Sequence, residues 1–212
     1  MRCSPLSRAL CACSIKSISK VLLLQQIEYV GVYMNIEKSL DVMHYFVKKL
    51  GDSVTDVKLM KLMYFADRKA LLETGFPITD DCYYIMNRGP ILSSTLDHLN
   101  NYSDEVASIF EKPKGKNEGG YPVREIRLKE SSVRSYEFLA EIEVSILDSI
   151  FDELSEMSTN EIVQYAHDDK ICPEWQFPSG TSIPLSIEKI LRHHGVDKKE
   201  AEQMAQEINY YR

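Results

Sequence analysis

The stretch that decides the fold is Lys58-Leu59-Met60-Lys61-Leu62-Met63-Tyr64-Phe65-Ala66-Asp67. It lies inside a run of helix-forming residues that extends from about Asp56 to Thr74. Gly75 is expected to end this helix, because glycine is the common residue just after a helix and Pro77 prevents continuation. The apolar side chains of the run cover a wide face. This pattern predicts the central and most buried helix of the protein.

Four polar or amphipathic residues of this stretch recur at steps of three: Lys58, Lys61, Tyr64 and Asp67. Residues three positions apart stay near one side of a helix, so the four drift only slowly around it. Two interpretations are open. The four residues form either an exposed polar stripe or the charged edge of a recognition surface beside the buried face.

The segments on either side of this helix show further regular patterns. Before it, apolar residues spaced by four and three predict a helix that stops at Gly51: Ile36, Leu40, Met43, Val47 and Leu50. After it, the aromatic and β-prone residues 82–86 predict a strand, and Arg88-Gly89-Pro90 a turn. Three leucines then mark a short helix: Leu92, Leu96 and Leu99.

The second half of the chain also contains patterns that predict strands and helices. Residues 106–110 and 123–128 predict a β-hairpin that joins the first strand in one small sheet. The longest helix is expected over 134–157, and a capping box of Ser158 and Glu161 predicts another to about His167. An ordered loop over 172–184 and helices over 186–194 and 198–210 complete the chain. The fold class is therefore α+β, mainly helical: a single domain of about seven helices with a small antiparallel β-sheet or hairpin.

The overall composition limits the classes of function. The chain has 212 residues, of which 44% are hydrophobic, enough to bury a core without disulfides. A net charge of −7 argues against nucleic-acid binding, because neutralising phosphates requires a dense basic face. We expect no membrane association. Cys82 and Cys172 lie far apart and outside any CxxC pattern, which predicts reduced thiols in a cytoplasmic protein.

Residues 1–33 differ in composition from the rest, being basic and serine-rich with a single acid, Glu28. Lys16 and Lys20 interrupt the apolar stretch that a secretory signal needs. A transit peptide fits the composition, and a docking helix over 18–33 is a further interpretation. We favour an upstream start codon, so that residues 1–33 are an extension and the domain, residues 34–212, begins at Met34.

Histidines and carboxylates are the main candidates for a reaction centre. His193 and His194 are adjacent, so on a helix they point about 100° apart and cannot meet one ion. His167-Asp168-Asp169 could coordinate a metal or act as a base, but the sequence has no HExxH spacing. Motifs of a nucleophile elbow, a phosphate loop and a dinucleotide site are also missing. We therefore expect no catalytic residue, no metal and no cofactor.

Four segments in this order resemble the Panacea domain of SocA-like antitoxins. They are Lys58 to Asp67, Gly75-Phe-Pro-Ile-Thr-Asp80, Arg88-Gly89-Pro90, and Asn160 to His167 followed by Pro173-Glu174-Trp175. The ordered set covers about residues 36 to 195, and the order makes the resemblance fairly specific. Nothing in it accounts for residues 1–33.

The resemblance implies an antitoxin that binds and neutralises a toxin protein encoded beside it. It also implies that the antitoxin can act as an adaptor that delivers the toxin to an ATP-dependent protease. Some similar proteins carry an appended DNA-binding domain, for which this chain has no room. Self-association of the chain is left open.

A protein-binding surface should contain aromatic and arginine side chains, which dominate interface energetics. The predicted partner-binding residues are Lys61, Tyr64, Asp67, Tyr83, Arg88, Pro90, His167 and Trp175. Two alternatives to an antitoxin remain. One is a small hydrolase, metal-dependent or based on His167 with Asp168 and Asp169, and the other is a general protein-interaction scaffold.

Overall fold

The computed structural model describes residues 35–113 and 124–211. The extension over residues 1–33 and the tip of the hairpin loop that the sequence predicts lie outside the described residues. The helices of the described part are α1 (Ile36–Lys49), α2 (Asp56–Thr74), α3 (Ser93–Asn101), α4 (Asp104–Ile109), α5 (Glu141–Leu154), α6 (Thr159–Tyr165), α7 (Ile187–His193) and α8 (Lys198–Tyr211). The strands are β1 (Ser53–Thr55), β2 (Tyr83–Met86), β3 (Gly89–Leu92), β4 (Phe110–Glu111), β5 (Glu125–Leu128) and β6 (Ser182–Leu185). The predicted α+β, mainly helical class is confirmed, with eight helices in the described residues.

Helix α2 is the centre of the core, as its pattern predicts. The Thr55 side chain caps its first turn by accepting a hydrogen bond from the Lys58 N–H, and Gly75 ends it with a φ of 86°. Helices α1, α5 and α6 and strands β1 and β3 all contact α2. Contacts on so many sides leave little of the helix open to solvent. Its buried residues therefore include polar ones.

Of the two interpretations of the polar residues on α2, the exposed stripe is wrong for three of the four residues. Lys61, Tyr64 and Asp67 are at most 1% exposed, and Lys58 is half-buried. The spacing by three is real, but β3 and the segment that precedes β2 cover that side of the helix. Each of the three polar side chains has a hydrogen-bond partner there or in the segment after α6.

The strands form two three-stranded antiparallel sheets and not one. Strand β2 lies between β3 and β6, with Tyr83 opposite both Leu92 and Leu185. Strand β5 lies between β1 and β4. The prediction that the first strand and the later hairpin share a sheet is therefore wrong. The expected turn at Arg88-Gly89-Pro90 is also shorter than predicted, because Gly89 and Pro90 already belong to β3, an edge strand that tolerates proline.

Three predicted segments differ in the structure. Residues 106–110 were expected to be strand, but 104–109 form helix α4 and only Phe110 belongs to a strand, because the Ser103 side chain caps the helix and two acids occupy its first turn. Residues 134–140, expected to be helical, instead cross α1, where the Arg134 side chain pairs with Glu37 and Asp41. Helix α5 is thereby shortened to 14 residues, and α2, with 19, is the longer. The predicted loop over 172–184 also ends in strand β6.

Searched over the described residues, the structure contains no helix that is both long enough and apolar enough to cross a membrane.

Candidate functional site

A pocket of about 340 Å³ opens between helix α2 and the β2–β3 hairpin. This volume is at the low end of the range for ligand sites, roughly 300–1,000 Å³. Most of its lining is apolar and comes from α2, the hairpin and helix α3: Val57, Met60, Met86, Ile91 and Leu96. The chain brings these elements together because β3 packs on α2 and runs directly into α3.

Lys61 lines this pocket although only 1% of its surface is exposed. Its ammonium Nζ donates a hydrogen bond to the carbonyl oxygen of Pro90 at 2.6 Å. Burial lowers the pKa of Lys61 to about 7. The nearby Cys172 opposes this fall, and the positive charge of Arg88 adds a smaller lowering effect. A lysine so placed exchanges its proton near neutral pH.

The hairpin reaches Lys61 because residue 89 is glycine. Gly89 has a φ of 99°, a backbone conformation that residues with a side chain rarely adopt. A Cβ atom there would lie 3.0 Å from both Cε and Nζ of Lys61 and from the Cβ of Ala166. Gly89 therefore permits the close approach that gives Lys61 its carbonyl partner.

Two further cations and one carboxylate line the pocket. Arg88 is exposed in the turn of the hairpin, and Arg124 lies just before β5. Arg124 binds the Oδ2 atom of Asp56 through Nη2 at 2.7 Å and through Nε at 2.8 Å. The other carboxylate oxygen, Oδ1, is buried and has no hydrogen-bond partner among the described residues.

An aromatic group borders the hairpin beside the pocket. The Trp175 Nε1–H donates a hydrogen bond to the carbonyl oxygen of Met86 at 3.1 Å. The His167 ring stacks on Trp175, with centroids 3.9 Å apart and an angle of 13° between the rings. Phe177 meets Trp175 edge-on and is 72% exposed. Exposed aromatic side chains are among the types that contribute to protein–protein interfaces.

A buried ionic cluster fixes the segment that carries Trp175. Glu174 is fully buried, and its Oε1 accepts hydrogen bonds from the Tyr64 hydroxyl at 2.6 Å and the Arg68 guanidinium at 2.9 Å. Its Oε2 lies 3.2 Å from Nε2 of His194. Burial raises the pKa of Glu174, but His194, Arg68 and Tyr64 together more than offset this and hold it well below its usual range. Glu174 is therefore a carboxylate at neutral pH.

A second buried cluster surrounds Asp67. Its carboxylate accepts hydrogen bonds from the backbone of Ile78 at 3.2 Å, from the backbone of Thr79 at 3.0 Å and from the Thr79 hydroxyl at 2.6 Å. The Tyr83 hydroxyl donates to it at 3.1 Å. Burial raises the pKa of Asp67 to about 7, although these donors oppose the rise. The cluster attaches the start of β2 to α2.

The eight predicted partner-binding residues thus fall into two groups. Tyr64, Asp67 and Tyr83 are buried and hold α2, β2 and the Trp175 segment together. The other five surround the hairpin and the pocket: Lys61, Arg88, Pro90, His167 and Trp175. Their role in partner binding stays a prediction. Within this second group only Arg88 is exposed, and Pro90 contributes its carbonyl oxygen to Lys61.

The sequence prediction missed Arg68, Glu174 and Phe177. Arg68 directly follows Asp67, and Glu174 lies between Cys172 and Trp175, so each is close in sequence to a residue that was selected. The available signal for the Arg68–Glu174 pair was Arg68 itself, because a charged residue in the middle of a buried helix requires a partner of opposite charge. Phe177 had no signal of its own, because an isolated phenylalanine is usually buried.

The alternative reaction centre at His167-Asp168-Asp169 receives a different environment. The His167 ring lies on Trp175, and burial together with the nearby charge of Lys61 lowers its pKa. Asp168 accepts a hydrogen bond from the Lys170 N–H, which closes a turn. Over residues 35–113 and 124–211, no group of three or more histidine, cysteine, aspartate or glutamate side chains is arranged to hold a metal ion.

Comparison with known families places a match over the same part of the chain. The family model described as "Antitoxin SocA-like, Panacea domain" matches residues 59–176, which is more than half of the chain. The matched range includes most of α2, the β2–β3 hairpin and Trp175. No curated protein and no solved structure gives a significant match.

Proposed function

The chain belongs to the family of SocA-like antitoxins with a Panacea domain, and from this membership we propose that it binds and neutralises a toxin protein encoded beside it. The observation that carries the proposal is the family match over residues 59–176. Neutralisation requires a surface that a second protein can contact. The structure offers a candidate for that surface inside the matched range and directly after it.

We call this candidate the hairpin face and define it by Met86, Arg88, Trp175 and Phe177. Its aromatic rings and its arginine are the side-chain types that contribute most to protein–protein affinity. Phe177 is 72% exposed, so a partner would remove a large apolar area from water. The stacked His167 ring and the hydrogen bond to Met86 hold Trp175 in place before any partner arrives. A surface that is already ordered loses little entropy when a partner binds.

We expect the hairpin face to act by covering the toxin, with no reaction on this chain. An interface of ordinary size buries on the order of 1,600 Å² in total, enough to cover the active site of a small enzyme. The site of action is the cytoplasm, where both proteins would be made. Free thiols at Cys82 and Cys172 are compatible with that compartment. Delivery of the toxin to an ATP-dependent protease stays a further prediction.

Co-expression with the neighbouring reading frame tests the proposal. The neighbour alone should arrest growth, and this chain should restore it. Phe177→Ala combined with Arg88→Glu should abolish the rescue while the protein remains folded. Phe138→Ala is the matched control, because Phe138 is 45% exposed but lies before α5, among residues that contact α1.

Each outcome decides a different point. A neighbour that is harmless when expressed alone would contradict the antitoxin function. A toxic neighbour that the double variant still neutralises would contradict the hairpin face as the binding surface and leave the function intact. Loss of rescue by Phe138→Ala as well would show that exposed aromatics matter without regard to position, which also contradicts the hairpin face.

A further inference from the structure

The pocket beside the hairpin face contains charges that the fold does not need. Lys61 has a neutral carbonyl as its partner, and no carboxylate of the described residues pairs with it. An ammonium group has three protons to donate, and a buried charge without an opposite charge is unfavourable. Asp67 and Glu174 show how this protein treats other buried ionic groups, since each has several partners. Lys61 differs from both, because the carbonyl of Pro90 is its single hydrogen-bond partner among the described residues.

The remaining charges of the pocket favour an anion. Arg88 and Arg124 add two cations, and Asp56, the only carboxylate of the lining among the described residues, is already bound by Arg124. This local excess of positive charge occurs in a chain with a net charge of −7. The surrounding wall is apolar and includes Met60 and Met86. A bare phosphate could use the cations and the side chains of Asn87 and Thr181, but it would leave the apolar wall uncovered, whereas a carboxylate on an apolar group would fit both parts of the lining.

One acceptor in the pocket indicates that the ligand also carries an N–H group. The Oδ1 atom of Asp56 is buried without a hydrogen-bond partner in the described part of the chain. Leaving a buried polar atom unpaired is costly, and the penalty disappears when a donor arrives. A peptide provides such a donor in its backbone, which a free fatty acid lacks.

We propose that this pocket binds an acidic, apolar segment of the partner protein, with a carboxylate on Lys61, an apolar side chain against Met60 and Met86, and a backbone N–H on Asp56. That the segment belongs to the toxin rests on the proposed function, whereas the chemistry of the pocket does not depend on it. Methionines suit this role, because their flexible side chains adapt to different apolar groups.

Binding of a carboxylate should be coupled to the protonation of Lys61. A carboxylate on Nζ favours the ammonium form and so raises the pKa of Lys61 above its value of about 7 in the free protein. Binding is therefore strongest where Lys61 is already protonated and weakens as the pH rises above 7. The other groups that face Lys61 are Arg88 on the hairpin, and His167 and Cys172 on the segment after α6. A thiol and an imidazole also titrate, so the pH profile must be compared with that of a variant.

A pair of short peptides tests the proposal on the full chain. Acetyl-Leu-Glu-Leu-amide carries the proposed carboxylate, and acetyl-Leu-Gln-Leu-amide is its uncharged match. Trp175 is the only tryptophan of the chain and contacts Met86 of the lining, so its fluorescence reports binding. Calorimetry provides an independent affinity. We expect the Glu peptide to bind at least tenfold more tightly than the Gln peptide at pH 6.5, and that preference to fall severalfold by pH 8.5.

Two variants and two small probes complete the design. Lys61→Met should remove the preference for the Glu peptide, and Arg88→Gln, at an exposed position, should reduce it. Inorganic phosphate should not compete with the peptide. Hexanoate should bind more weakly than the Glu peptide because it lacks an N–H group.

Four results would overturn the inference. They are equal binding of the two peptides, an unchanged preference in Lys61→Met, competition by phosphate, and binding of hexanoate alone, which would indicate a free carboxylate ligand. None of these measurements involves the toxin. Failure of the pocket chemistry and failure of the antitoxin function are therefore separate outcomes.

Discussion

Replacing Glu174 with glutamine should lower the free energy of unfolding more than the same replacement at a surface glutamate does. Glu174 is fully buried and accepts hydrogen bonds from Tyr64 and Arg68, and its second oxygen pairs with His194. It thereby joins α2, the Trp175 segment and the end of α7. Glutamine keeps the shape and one acceptor oxygen, but it removes the negative charge that balances Arg68, whose side chain is only 13% exposed.

The expected magnitude follows from the burial of the pair. Removing one partner of a buried ion pair costs about 3–5 kcal/mol, and the retained carbonyl oxygen places Glu174→Gln at the lower end. For a domain of this size, 3 kcal/mol corresponds to a fall in Tm of roughly 6–12 °C. The pKa of Glu174 is held below its usual value of 4.5 in the folded state, so the carboxylate contributes stability at every pH above that value. The advantage of the wild type should be constant from pH 8 to 5 and should shrink as the pH falls below 4.5.

Urea unfolding of the two proteins, followed by circular dichroism at several pH values, measures this difference. Glu188→Gln is the matched control, because Glu188 pairs with Arg192 on the surface of α7, where both side chains are at least one third exposed. Such pairs contribute about 0–1 kcal/mol. Equal losses in the two variants, or a difference that does not change with acid, would refute the role assigned to Glu174.

Three further predictions concern Gly89 of the hairpin, Lys61 of α2 and the cap of α4. Gly89→Ala should lower the free energy of unfolding by about 1–3 kcal/mol, because residue 89 has a positive φ and a Cβ there would have contacts of 3.0 Å. Gly180→Ala is the control, since Gly180 has open space around it, and it should change the free energy of unfolding by less than about 0.5 kcal/mol in the same urea titration. Lys61→Met should stabilise the protein by about 1–3 kcal/mol at pH 6. Because the folded state holds the pKa of Lys61 at about 7, the cost of its charge declines as the pH rises above 7, so a gain measured at pH 9 that equals the gain at pH 6 would contradict it. Ser103→Ala should cost about 1 kcal/mol by removing the cap of α4, and a wild-type denaturation midpoint in that variant would argue against the cap.

Elements whose signals are local could be predicted well from the sequence. Helix α2 runs from Asp56 to Thr74 as expected, because its cap residue Thr55 and its stop at Gly75 are neighbours in the chain. The capping box of Ser158 and Glu161 likewise marks the start of α6. Where tertiary contacts compete with local preference, the prediction failed. Residues 134–140 have a helical pattern, but they are not helical in the structure, where Arg134 forms ion pairs with Glu37 and Asp41 of α1.

The candidate site could be predicted in part, and the reason lies in distance along the chain. Arg88 and Trp175 could be selected by residue type alone. The pairing of Arg68 with Glu174 joins residues 106 positions apart, and that of Trp175 with Met86 spans 89. No periodicity in the sequence reports such contacts. The burial of Lys61 is of the same kind, because it depends on a hairpin that closes over α2 only in the folded protein.

The most direct test of the account is the affinity between this protein and the purified product of the neighbouring gene, measured by calorimetry. We predict saturable binding that Phe177→Ala weakens by at least about 30-fold, which corresponds to the 2 kcal/mol typical of a central interface residue. Phe138→Ala should bind as the wild type does. Wild-type affinity in Phe177→Ala, or no binding by the wild type to a neighbour that is toxic on its own, would contradict the account.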